Sequence, residues 1–95
     1  MIFVTALPSD TNNNPDTKNK NLVGYAQDVE SARNFIKHNI NKLADRFKYI
    51  VLEDIEPGYK SAVFEKKWYL LAKNNLIEIE KPFSVKSMAC FAVDI

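Results

Sequence analysis

Cysteine, glycine, histidine and charge of one sign are all scarce in this chain, and each scarcity removes a class of function. A single cysteine, Cys90, cannot staple the chain to itself, which excludes a disulfide scaffold and makes a reducing compartment the expectation. The two glycines, Gly24 and Gly58, form no glycine-rich phosphate loop, which rules out the common nucleotide-binding motifs. The one histidine, His38, has no cysteine or second histidine at ligand spacing, so a zinc centre is not expected. Thirteen basic against twelve acidic residues give a net charge of +1. That balance suits neither a general nucleic-acid binder, whose affinity rests on neutralising many phosphates, nor a polyanion mimic. No apolar run approaches the ~20 residues needed to cross a bilayer. Met1-Ile2-Phe3-Val4-Thr5 lacks the basic segment and long apolar stretch of an export signal. The expectation is a cytoplasmic protein with no membrane association and no cofactor.

What is present is enough apolar side chain for one core. Ninety-five residues make a single domain, and 46% hydrophobic content argues against disorder. A chain this short buries only about 60–65% of its unfolded surface, so association with another copy would help it. Eleven lysines and ten asparagines against two arginines are the residue usage of AT-rich coding, a compositional association with low-GC bacteria and their phages.

The clearest periodicity is helical. Asp28 is a good N-cap, and Val29, Ala32, Phe35, Ile36, Ile40, Leu43, Ala44 and Phe47 follow at spacings of three and four. This predicts one amphipathic helix from Val29 to Arg46. Short apolar runs at Ile2–Leu7, Leu22–Ala26, Lys48–Glu56, Ala62–Ala72, Leu76–Glu80 and Ser87–Ile95 read as strands. Gly24 marks a bulge or a close approach, and Pro57-Gly58 and Asn74-Asn75 mark turns. Residues 9–21 contain nothing apolar apart from Pro15 and read as a polar, flexible loop. The expected fold is a single α+β domain, one helix on a mainly antiparallel sheet in the order ββαββββ. One helix covers one sheet face, leaving the other exposed or buried against a second copy.

The candidate chemistry is thin. Glu53, Asp54 and Glu56 are close enough in sequence to suggest a small metal-dependent enzyme, yet guarantee no convergence of ligands. Glu78 and Glu80 are expected to pair with Lys66 and Lys67 across a hairpin. Cys90 lies in an apolar run and reads as a buried structural thiol. Aromatic and basic residues interleave from Tyr59 to Tyr69, the chemistry that stacks bases and neutralises phosphates, and equally that of a half-buried strand guarded by lysines. Tyrosine and tryptophan are favoured anchors of interfaces and pockets. The expected ligand- or partner-binding residues are therefore Tyr49, Tyr59, Lys60, Lys67, Trp68 and Tyr69, with Tyr25 a further aromatic to test.

Tyr49-Ile50-Val51-Leu52-Glu53, then Glu56-Pro57-Gly58, Glu65-Lys66-Lys67-Trp68-Tyr69 and Ile79-Glu80-Lys81-Pro82 form an ordered set of motifs. From the helix onward this resembles short uncharacterised proteins of low-GC bacteria and their phages or mobile elements. The resemblance implies an accessory role and brings no catalytic residue with it. The resulting expectation is a non-enzymatic binding protein whose partners are a second copy, a host protein or a small nucleotide-like ligand. Single-stranded nucleic-acid binding is the alternative, and the metal-dependent enzyme a second one.

Overall fold

Alternation along the strands decides which side chains meet the helices. A computed structural model of the chain describes residues 1–55, 63–85 and 91–92. Strands β1 (Ile2–Leu7), β2 (Asn21–Ala26), β3 (Tyr49–Ile55), β4 (Val63–Ala72) and β5 (Asn75–Ile79) form one antiparallel sheet in the order β2-β1-β3-β4-β5. Ile2, Val4 and Ala6 of β1, Ile50 and Leu52 of β3, and Tyr69 and Leu71 of β4 share one face. Against that face pack Ala32, Ile36, Leu43 and Phe47 from the helical layer. The opposite, outer face carries Leu7, Tyr49, Val51 and Trp68.

The helical layer corrects the expectation of one continuous helix. It consists of α1 (Val29–His38) and α2 (Ile40–Arg46), broken at Asn39. Asn39 has φ −115° and ψ 17°, and its side-chain amide donates to the Phe35 carbonyl at 2.9 Å. An asparagine side chain that bonds the backbone locally offers the chain an alternative to the helical ladder. The apolar stripe runs on across the break, so periodicity alone does not reveal it.

At the start of α1, Asp28 accepts from the Ser31 backbone N–H at 2.7 Å. This bond holds the Asp28 carboxyl below the usual value of 3.8. A lowered native value means the contribution is complete above the unfolded value and is lost as pH falls through the native one. An acid titration followed by far-ultraviolet circular dichroism is thus expected to show helix weakening below about pH 4. In Asp28→Asn, which keeps a capping oxygen, that acid-side component disappears; an unchanged titration would contradict the assignment.

Gly24 does both things expected of it. The β1–β2 register shifts between Val4 and Thr5, making Val23 the extra residue of a bulge. A Cβ at Gly24 would lie 2.9 Å from the Phe35 ring, so glycine is what lets α1 sit this close to β2. The 9–21 segment is held by its own bonds: Asp10 accepts from the Asn12 and Asn14 N–H groups, and Asp16 caps a 3-10 turn at Thr17–Asn19. Lys73-Asn74 forms the β4–β5 turn, with Asn74 at φ 60°.

The expected last strand, Ser87–Ile95, falls mostly outside the described residues, and Phe91–Ala92 form a bend. Phe91 lies over the outer face, its ring edge-on to Trp68 at 5.4 Å, with Val85 in the same cluster. The centre of the outer face is therefore covered by the chain itself, contrary to the expectation that one helical layer leaves it bare. No helix among the described residues is long and apolar enough to cross a membrane.

Candidate functional site

Strand alternation separates the residues expected to form a binding site. Tyr49 and Trp68 lie on the outer face and Tyr69 in the helix-side core, all three buried. The Tyr49 hydroxyl donates to the Asn13 carbonyl at 2.6 Å, tying the 9–21 loop to the sheet. Tyr69 lies beneath the Arg33 guanidinium, 6.0 Å from its ring centre. Lys67 borders a small void with Ile2, Val29, Leu52 and Asp54, of about 10 Å³, room for no more than one water. Tyr59 and Lys60 lie outside the described residues, as does Cys90. A larger open recess, about 510 Å³, lies between α2 and the β4–β5 turn, and none of the expected residues lines it.

The carboxylates are divided in the same way. Glu53 and Asp54 leave β3 on opposite faces, so they cannot share one cation. Asp54 faces the N-terminal amine at 3.4 Å. Glu53 is fully buried. Its oxygens accept from the backbone N–H of Phe91 at 2.8 and 2.9 Å and of Ala92 at 2.9 Å, and Lys66 Nζ approaches to 3.5 Å. Lys66 also lies 4.9 Å from the centre of the Phe91 ring. A carboxylate so engaged fastens Phe91 and Ala92 to the sheet and has no access to an external substrate. Glu56 lies outside the described residues. Glu78 sits opposite Tyr69 in the β4–β5 register, and Lys66 has Glu53 as an ion partner. His38 is exposed at the end of α1.

The edge of the sheet at β2 carries exposed apolar side chains. Among the described residues this strand is bonded to β1 alone. Leu22 is 47% and Tyr25 69% exposed. Both pair with outer-face residues of β1, Thr5 and Phe3, and the Phe3 and Tyr25 rings lie 6.3 Å apart. From Asn21 to Gln27 the chain carries no charged side chain. Sheet edges are ordinarily blunted by charge or proline. The opposite edge follows that rule, with Glu78, Glu80, Lys81 and Pro82 in or just after β5. The two edges thus differ in kind, and β2 is the unguarded one.

Tyr25 stands out in the sequence as an aromatic, whereas Leu22 carries no such signal and nothing in the sequence joins the two. Three residues apart, they would face opposite ways on a regular strand; the bulge at Val23 puts them on one face. In comparison with known proteins, the chain matches no family model, no curated protein and no solved structure.

Proposed function

We propose that this is a non-enzymatic binding protein, acting stoichiometrically through the open edge of β2 on an extended segment of another polypeptide. The observation that carries this reading is the uncharged strand Asn21–Ala26 with Leu22 and Tyr25 exposed beside it. Unpaired backbone groups on such an edge supply main-chain hydrogen bonds to an added strand, and alternate side chains supply selectivity. The charged groups with the strongest bonding geometry are occupied by the fold: Glu53 holds Phe91 and Ala92, while Asp16 and Asp28 cap helical turns. Base stacking on a single strand of nucleic acid needs exposed aromatic faces. Tyr49, Trp68 and Tyr69 are each 8% exposed or less, and the exposed Tyr25 lies on a strand with no basic residue to hold a phosphate, which favours the polypeptide reading over that alternative.

Photo-cross-linking in the natural host tests this. A benzophenone side chain at position 25 is expected to give adducts of defined mass with a polypeptide, and one at position 77 on the β5 edge is not. No adduct from position 25, or equal adducts from both, would overturn the reading.

A further inference from the structure

We infer that the strand added at the β2 edge is β2 of a second copy of this chain, giving one continuous ten-stranded sheet across a two-fold axis. The inference rests on the β2 docking reading and names its occupant. The first support is charge. The N-terminal flank of β2 is basic, with Lys18 and Lys20, and the C-terminal flank is acidic, with Asp28 and Glu30. Two β2 strands running antiparallel bring the basic flank of each copy against the acidic flank of the other. The strand between the flanks carries no charge, so self-pairing sets no like charges opposite each other. A parallel arrangement would stack like on like at both ends.

The second support is register. A two-fold axis perpendicular to the sheet requires opposed residues to share a face. Leu22 and Tyr25 meet that condition because Val23 is the extra residue of the bulge, and Asn21 and Ala26 meet it too, both pairing with helix-side residues of β1. Leu22 of each copy then faces Tyr25 of the other, twice over, and the largest exposed apolar groups of this edge are covered. The flanking residues Lys20 and Gln27 come opposite one another, with Asp28 of the second copy one residue further on. A symmetric contact of this kind is self-complementary and closed, so it ends at two copies. The guarded β5 edges are left at the two ends of the extended sheet.

Sedimentation equilibrium on the full chain tests the inference, with circular dichroism confirming that each variant is folded. The wild type is expected to be a dimer at about 50 μM, and Leu22→Lys to weaken association by about 100-fold, as loss of a central contact does. Ile77→Lys, on the other edge, is expected to leave it unchanged. Lys20→Glu and Glu30→Lys are each expected to weaken the dimer several-fold, and the double variant to recover most of the loss. Such recovery is not expected of a residue that merely supports the fold. A wild type that stays monomeric to about 1 mM overturns self-pairing, as does a dimer sensitive to Ile77→Lys and indifferent to Leu22→Lys. If cross-links from position 25 then lead to a different polypeptide, the docking edge stands and only its occupant is wrong. If they lead to none, the docking reading falls as well.

Discussion

Replacing Glu53 by alanine is expected to free Phe91 and Ala92 from the sheet while the helix-side core stays folded. Glu53 is fully buried, and its carboxylate accepts from two backbone N–H groups, that of Phe91 shared between both oxygens and that of Ala92 on one, with the Lys66 ammonium nearby. Hydrogen bonds to a charged acceptor contribute about 1.5–3 kcal/mol each when one partner is removed, and truncating one side of a buried charge pair costs about 3–5 kcal/mol. The full cost would arise only if the Phe91 and Ala92 N–H groups stayed buried without an acceptor. They avoid it by leaving the sheet for water. The loss is then capped at what docking of this segment contributes, about 3 kcal/mol.

The readout is built into the chain. Trp68 is its only tryptophan and lies edge-on to Phe91. Emission of Glu53→Ala is expected to shift to the red, with amide exchange at residues 91 and 92 accelerating by two orders of magnitude or more, as about 3 kcal/mol implies. Glu53→Gln keeps one carbonyl acceptor and is expected to fall between the two proteins. Emission and exchange indistinguishable from wild type would show that Glu53 does not hold this segment.

Trp68→Ala has the larger effect on global stability. The indole is 3% exposed in the outer-face cluster with Leu7, Tyr49, Val51, Val85 and Phe91. Truncating a buried tryptophan costs about 3–5 kcal/mol, through lost burial and the cavity left behind. The edge-on pair with Phe91 adds about 0.5–1.5 kcal/mol. A domain of this size has only about 5–15 kcal/mol in total. The melting temperature is expected to fall by on the order of 20 °C. Trp68→Phe is expected to cost much less than the alanine variant. Trp68 Nε1 is buried without a hydrogen-bond partner among the described residues, so phenylalanine discards a donor that earns nothing while keeping an aromatic ring. Thermal melts of the two variants check this; equal losses would mean that the indole nitrogen matters more than the ring.

The strand pattern was legible because burial follows alternation. The five strands among the described residues lie within one residue or so of the apolar runs that predict them, and the helical stripe reaches the core at Ala32, Ile36, Leu43 and Phe47. Ala44 is an exception, exposed and lining the open recess beside α2. The break at Asn39 left no trace in the hydrophobic pattern, because it depends on one side-chain bond to Phe35 rather than on a proline or glycine. The cover on the outer face was hidden for a different reason. An apolar run at the chain's end reads as a strand, and only tertiary contacts with Glu53 and Trp68 show that Phe91–Ala92 lie across the sheet as a bend.

The site was less legible than the fold. Aromatic content pointed to Tyr49, Trp68 and Tyr69, but large rings in a small domain are its best core filling, and burial claimed them. The edge position of β2 follows from strand order, which involves β1 pairing with β3 across the 41 residues from 8 to 48. Composition shows Asn21–Gln27 to be uncharged, yet it gives that fact no meaning until the strand is known to be an edge.

Hydrogen exchange at β2 tests the account most directly. The amides of residues 21–26 that do not bond to β1 should exchange freely in dilute protein and slow by at least about tenfold as the docking strand is added, by raising concentration or by adding the cross-linked partner. The outward amides of β5 should not change under the same conditions. Protection that appears on β5 or on the helices while β2 stays unprotected would place the docking surface elsewhere and contradict the account.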